Sequence, residues 1–269
     1  MPTGILALGQ DALRTAAAGA SATRPPDRPR PARATDAVVG AHGADYGCRV
    51  ERILVIGASG HAEIVLDSVE KEGRYQVAGL VDDYRAPGDE LLGYRVLGPH
   101  RDIPRLMAEE GVIGGIVGIG DNWTRRCIWN DVRRAAPDFR FVLVVHPSAQ
   151  LARGTSIGAG SLIMVGGILN AGARMGDNCV ISTNSSLDHD SLMDDHASLS
   201  GKVATGGNVH IGSGTAIMLD VTIAHGVSIG EHTVVGAGSL VLHDLPAYCV
   251  AYGTPARVIR RRAPGDSYL

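Results

Sequence analysis

Stepping by six from Leu151 to Val241 meets an aliphatic residue at fifteen of sixteen positions, the exception being Thr205. Four residues after each of them stands a residue that is nearly always small or β-branched, such as Thr155, Cys179, Ser191 or Val209. One aliphatic and one small residue per six is the signature of a hexapeptide β-helix, in which each unit supplies a short strand and a tight corner. Three units close a triangular coil, so residues eighteen apart stack at the strand spacing of about 4.8 Å. Residues 151–246 hold sixteen units without an insertion and predict a little over five coils.

Upstream, the pattern changes to strands alternating with helices. Residues 53–56 read as a short buried strand, 57–60 as a turn, and 61–72 as a helix with periodicity through Ile64, Val65, Ser68 and Val69. A second strand is expected at 76–81, ending in Asp82 and Asp83; helices near 101–110 and 122–136 alternate with strands at 115–119 and 140–145. This order implies a small parallel α/β domain over 52–146. His146-Pro147 closes it, and the β-helix with its C-terminal cap takes 147–262. The basic tail Arg260-Arg261-Arg262 reads as a solvated helix over the open end of the solenoid. Residues 1–51 are rich in Ala, Pro and Arg, and their repeated prolines predict a disordered leader.

Composition narrows the class. Aromatics are 4% of the chain and glycines number 36, which suits a solenoid of small side chains. A formal net charge of −3 gives no electrostatic case for nucleic acid. The cysteines Cys48, Cys127, Cys179 and Cys249 form no C-x-x-C pair, which favours a reducing cytoplasm. No apolar run approaches the roughly 20 residues of a transmembrane helix, so no membrane partner is expected.

Two places could carry chemistry. The turn from Gly57 to His61 follows the first strand and opens a helix, where free backbone N–H groups and the dipole favour a phosphate. Asp82 stands where a ribose or base contact would come. Ser59 holds the second glycine position of a dinucleotide fingerprint, so NAD is not expected, and a tight turn without ligand is the plainer alternative.

The second place is one corner of the β-helix, where the eighteen-residue stack runs Arg153, Ala171, His189, Gly207, His225, His243. Gly207 notches the corner beside His189, and its backbone N–H is free to approach whatever rests there. Asp188 and Asp190 flank His189, and a carboxylate bonded to imidazole orients it and raises its pKa. A base with a donor one coil away is the minimum for acyl transfer; a solvated corner histidine is the bland alternative. Zinc is the sharper rival, yet His189 and His225 are two coils apart, roughly 10 Å, beyond joint ligation. His196, His210 and His232 fall on other corners and are expected to be solvated, so no metal is expected. Cys179 in a small inward slot and Cys249 without a local histidine make poor nucleophiles.

The stretches Ile56-Gly57-Ala58-Ser59-Gly60-His61-Ala62, Leu80-Val81-Asp82-Asp83, Asp188-His189-Asp190, Gly207-Asn208-Val209-His210-Ile211-Gly212 and Gly253-Thr254-Pro255-Ala256-Arg257 together resemble the sialic acid O-acetyltransferase and bacterial sugar N-acetyltransferase family. The likeness runs from residue 52 to about 262. It implies a Rossmann-like domain followed by a left-handed parallel β-helix, assembled as a homotrimer with acetyl-CoA in the cleft between neighbours. It further implies that the N-terminal domain takes a nucleotide-linked sugar through Gly57, Ser59, Gly60 and His61 and through Asp82 and Asp83. By position, His189 resembles the general base, Asp190 its supporting carboxylate, and Gly207 the backbone donor to the thioester carbonyl. Leu219 and Ala237 resemble the opposing wall of the coenzyme cleft, and Gly253, Thr254, Pro255 and Arg257 the loop at its nucleotide end. Two positions depart: the supporting acid is usually Glu and is Asp190 here, and the second His that commonly follows the base by nine residues, at the acceptor contact, is Ser198. The activity implied is transfer of acetyl to an amino group of a nucleotide-linked amino sugar. O-acetylation of a sugar hydroxyl, and a non-catalytic ligand-binding scaffold, stay open as alternatives.

Overall fold

The computed structural model describes residues 50–268. The expected leader lies outside these residues, except that Glu51 is already the first residue of a strand.

The six-residue period builds the coil through its corners. Three residues after each inward aliphatic, one residue takes the left-handed conformation, at fifteen consecutive corners from Gly154 (φ 77°) through Asp190 (φ 56°) to Gly238 (φ 67°). Twelve of the fifteen are Gly, Asn or Asp, the residues for which that conformation costs least. The two-residue strands between corners form three parallel sheets. The first runs from Val144–Val145 to Val234–Val235, the second from Gln150–Leu151 to Leu240–Val241, and the third from Ser156–Ile157 to Ser228–Ile229. Partners are eighteen residues apart, as in Leu162 with Val180. The inward aliphatics fill the prism as one buried cluster.

The preceding domain consists of β1 (Glu51–Ile56), α1 (Gly60–Glu72), β2 (Tyr75–Val81), β3 (Glu90–Leu91), β4 (Tyr94–Gly98), α2 (Ile103–Glu110), β5 (Gly114–Val117), α3 (Asn122–Ala135) and β6 (Arg140–Phe141). The sheet order is β3-β4-β2-β1-β5-β6, parallel except for the β3–β4 hairpin. With two residues in β3, that hairpin is too short to leave a periodicity in the sequence. The single strand expected over 140–145 is divided: β6 joins the α/β sheet beside β5, and Val144–Val145 is the first rung of the β-helix, beside Leu162–Ile163.

The α/β domain covers the outer face of the first sheet, where Leu162 and Val180 share a buried cluster with Ile53, Val65 and Leu66. Arg125 of α3 clasps the two parts. It is buried, and it donates to the carbonyls of Ile119 (3.2 Å) and Gly120 (3.1 Å) on one side and of Asn178 (3.1 Å) and His196 (3.0 Å) on the other. These bonds offset the cost of burying its charge.

The C-terminal cap is a strand hairpin, Cys249–Gly253 with Ala256–Arg261, and not the expected helix. Val234–Val235 presents unpaired backbone groups at the last rung, and the incoming strand satisfies them through Val250 and Ala251, which a helix would not. Among the described residues, no helix is long and apolar enough to cross a membrane.

Candidate active site

His189 leaves Ser186–Leu187 of the second sheet on the corner that leads to Leu192–Met193 of the third. Asp190 is the left-handed residue of that corner, and this conformation turns its carboxylate back onto the ring: Oδ2 lies 3.0 Å from Nδ1. Although a methylene shorter than Glu, Asp190 still reaches. With the Nδ1 hydrogen donated to Asp190, Nε2 keeps its lone pair. The Asp190 hydrogen bond, aided by the charges of Asp188 and Asp190, raises the His189 pKa above its ordinary value. The side chain is 48% exposed, so solvent reaches the ring.

Nε2 faces Gly207 on the next coil. A Cβ built on Gly207 would lie 2.2 Å from Nε2 and 2.4 Å from Cε1, so the notch is filled by the imidazole itself. Glycine is required there because it lets the ring lie against the next coil. The Gly207 carbonyl accepts from Gly226 N–H at 3.0 Å, while its own N–H takes no partner among the described residues. His225 also leans toward this space. Its ring centroid is 6.0 Å from that of His189, which corrects the spacing of roughly 10 Å expected from two coils. Side chains converge over Gly207 because no side chain stands between them. Among the described residues, no three His, Cys, Asp or Glu side chains group as a metal site.

Behind the base, Asp188 Oδ1 accepts from His189 N–H (2.7 Å) and from Asn170 Nδ2 (2.6 Å), and these donors hold the Asp188 pKa below the usual carboxylate value. Asn170 stacks one coil from Asp188; nothing in its local sequence distinguishes it, and only the stack reveals it.

The other coenzyme residues expected from the sequence gather on a different corner. Leu219, 57% exposed, and Ala237 lie where the first sheet turns into the second. The turn of the C-terminal hairpin joins them: Gly253 N–H donates to Ser239 Oγ (3.1 Å), and Thr254 Oγ1 donates to the Gly238 carbonyl (3.4 Å). Pro255 and Arg257 are exposed beside it. His189 and this group therefore stand at opposite ends of the second sheet.

The glycine turn belongs to the α/β domain. Gly57 has φ 114°, and a Cβ there would meet the Gly118 carbonyl at 2.9 Å, so it cannot be replaced without strain. Ser59 is the N-cap of α1 but makes no side-chain cap bond. The amides of Ser59, Gly60 and His61 precede the first helical bond, from Glu63 N–H to Ser59 O (3.2 Å). Gly60 is exposed and open. The His61 ring is buried beside Gly120 with no partner for Nε2, and burial, then the charge of Arg125, lowers its pKa to about 4.

Asp82 and Asp83 brace loops. Asp82 Oδ2 accepts from Ala58 N–H (2.8 Å), and Oδ1 from Tyr84 N–H (2.8 Å) and Arg85 N–H (3.0 Å). Asp83 accepts from His100 N–H (3.0 Å) and meets Nδ1 of the same residue at 2.5 Å. Ser198 lies on the outer face of the first sheet, 9% exposed.

The three histidines expected to be solvated are all engaged. His196 takes Asn178 Nδ2 at 2.9 Å, and burial lowers its pKa to about 4; His232 packs against Tyr248 and Trp123 and accepts from Arg126 at 2.9 Å. His210 pairs with Asp194 at 2.8 Å on the third sheet. A signal for the last pair was present: Asp194 interrupts the column Gly158, Gly176, Gly212, Gly230.

Comparisons with known proteins agree with both halves of the chain. The PglD N-terminal domain family matches residues 52–132, and the bacterial transferase hexapeptide family, six repeats, matches 208–243. GDP-perosamine N-acetyltransferase from Caulobacter crescentus, solved as a His-to-Ala variant with CoA and GDP-perosamine, is similar at 32% identity and a TM-score of 0.73, over 79% of this chain and 98% of that one. The chain belongs to this family of hexapeptide-repeat N-acetyltransferases. The family fold, a Rossmann-like domain followed by a left-handed β-helix, is the one described above. The acetyltransferase domain of PglB from Neisseria gonorrhoeae, solved with acetyl coenzyme A, is similar at 27% identity and a TM-score of 0.71, over 78% of this chain and 99% of that one. dTDP-3-amino-3,6-dideoxy-alpha-D-galactopyranose 3-N-acetyltransferase from Aneurinibacillus thermoaerophilus is 49% identical over 45 residues, 17% of this chain. That match spans 23% of the enzyme, so the chain covers about a quarter of the length of such curated relatives.

Proposed function

We propose that this chain transfers an acetyl group from acetyl-CoA to the amino group of a nucleotide-linked amino sugar, with His189 as general base, in a site shared between the subunits of a homotrimer. The observation that carries this reading is the imidazole with Nδ1 tied to Asp190 and Nε2 directed at Gly207, whose N–H is unpaired. The sugar amine attacks the thioester carbonyl carbon and forms the N–C bond, while Nε2 of His189 takes an amine proton. The Gly207 N–H meets the charge that develops on the carbonyl oxygen. The C–S bond then breaks, and His189 returns the proton to the CoA sulfur. Asp190 supports the imidazolium formed in between, and the raised pKa of His189 makes it a stronger base for an amine.

The separation of the two coenzyme groups supports the trimer. His189 and Gly207 occupy one corner, and Leu219, Ala237 and the Gly253-Thr254-Pro255 turn another, all within reach of solvent except Gly207. They can flank one pantetheine arm only where corners of two chains face each other, and a closed ring of chains repeats that cleft. The open amides of Ser59, Gly60 and His61 suit the diphosphate of the acceptor, with Asp82 and Asp83 shaping the turn and Ser198 lying under the same domain. A cytoplasmic reaction is part of this reading, since acetyl-CoA is the co-substrate and the free thiols Cys127, Cys179 and Cys249 suit a reducing compartment.

The test is incubation with acetyl-CoA and either GDP-perosamine or the dTDP-linked 3-amino sugar, followed by hydroxylamine treatment of the product. Release of CoA with a product that resists hydroxylamine is expected, because an amide survives it. A hydroxylamine-labile ester would overturn N-acetylation, and no transfer to any amino sugar would overturn the reading altogether.

A further inference from the structure

Thr205 breaks the aliphatic pattern of the inward positions, and it does so one rung from His189. We propose that Thr205 is a positioning residue for the base: its hydroxyl captures the backbone of Asp188 and thereby sets the angle at which His189 leaves the coil. This rests on the reading of His189 as the base.

In the second sheet, the residue after each strand donates its N–H to the carbonyl of the inward residue one coil on. Ala152 bonds Leu169 (2.9 Å), Asn170 bonds Leu187 (3.0 Å), Gly206 bonds Ile223 (2.8 Å) and Ala224 bonds Val241 (2.8 Å). At Asp188 the series changes, and the N–H goes instead to the Thr205 hydroxyl oxygen at 2.9 Å. The pairing records the same departure. Between Ser186–Leu187 and Ala204–Thr205 only Ser186 and Ala204 are paired, whereas each other rung contact of this sheet pairs two residues.

A hydroxyl among aliphatic side chains is unfavourable unless it is bonded, and Thr205 is 7% exposed, stacked between Leu187 and Ile223. An aliphatic residue would suit the core and restore the regular ladder, so the local rule is broken where function gains. Thr205 thus holds the peptide between Leu187 and Asp188, and the next one, between Asp188 and His189, is held by the Asp188 side chain. Asp188 Oδ1 accepts from Asn170 Nδ2 and from the N–H of His189 itself. Together, Thr205, Asn170 and Asp188 fix the two successive peptides that lead into His189, and with them the line from its Cα to an Nε2 lodged against Gly207.

Thr205→Val is nearly isosteric, removes only the hydroxyl's bonding, and places an aliphatic residue where fifteen others stand. It should melt at the wild-type temperature or above. Its kcat should fall roughly tenfold or more, as expected of a base displaced by a fraction of an ångström, while KM for acetyl-CoA stays within about twofold. Thr205→Ser, which keeps the hydroxyl, should recover most of the rate, and Thr205→Ala, which adds no bulk, should match Thr205→Val. The assay is CoA release from acetyl-CoA with GDP-perosamine and the dTDP-linked 3-amino sugar, with His189→Ala in parallel. Wild-type kcat in Thr205→Val, or a Thr205→Ser as slow as Thr205→Val, would overturn the positioning role alone if His189→Ala is inactive. Wild-type turnover in His189→Ala would overturn the base assignment and this inference with it.

Discussion

Replacing Gly207 by alanine tests how the imidazole is seated without disturbing the coil. Gly207 is not in the left-handed region, so its backbone accepts a side chain. The added methyl would stand 2.2 Å from Nε2, 2.4 Å from Cε1 and 2.6 Å from Cδ2 of His189, and ordinary contact begins at 3.4 Å, so the ring must retreat by about 1.2 Å. Because the side chain is 48% exposed, it can swing into solvent, and the loss in stability should stay below about 1 kcal/mol. Catalysis is less tolerant. A misplacement of about 1 Å can cost about 10²-fold, equivalent to about 2.7 kcal/mol of barrier. The swing also breaks the 3.0 Å bond to Asp190, the main cause of the raised His189 pKa. In the wild type, activity should be lost as pH falls through a value above that of an ordinary histidine; in Gly207→Ala the remaining activity should persist to lower pH. Steady-state CoA release across pH, with a melting curve for each protein, checks all of this. A near-wild-type kcat, or a fall in melting temperature that accounts for the lost rate, would refute the reasoning. Gly207→Val should for the same reason lower kcat before it alters KM for acetyl-CoA.

Other consequences are as direct. A Cβ on Gly60 meets nothing within 4 Å, so Gly60→Ala should melt normally and raise KM for the nucleotide-linked acceptor alone; equal effects on both KM values would assign the turn a purely structural role. His61 and His196, neutral in the fold with pKa values lowered from 6.5 to about 4, bind fewer protons folded than unfolded. Their contribution is complete above pH 6.5 and is lost as pH falls toward 4, at up to about 3 kcal/mol for His61 and less for the more accessible His196. Urea midpoints at pH 7 and pH 5 should therefore differ, and a flat profile would contradict the burial of these rings. Light scattering should give a trimer at micromolar concentration, and a stable monomer there would remove the cleft between corners.

The corner geometry was legible because stacking is arithmetic: eighteen residues make one coil, and that alone puts His189 beside Gly207. The column of Gly, Asn and Asp that turns the corners could also be read, and it contains Asp190. Side-chain direction was not legible. His225 leans to 6.0 Å from His189 by rotamer choice, which no spacing encodes. Arg125 looks like one more basic residue on a helix, and its carbonyl partners at Asn178 and His196 converge on it only after the α/β domain docks on the first sheet. Asp82 and Asp83 stand at the expected strand end, yet their oxygens are taken by neighbouring backbone amides that a linear reading leaves unplaced. Thr205 was visible as an exception, and its partner was not, because the ladder bond it replaces belongs to another coil.

The role of His189 as the base is decided by His189→Ala, assayed for turnover with whichever nucleotide-linked amino sugar the wild-type chain acetylates fastest and for acetyl-CoA binding by calorimetry. Its kcat should fall by about 10² to 10⁴ while coenzyme affinity is kept. Turnover near that of the wild type would remove His189 as the base.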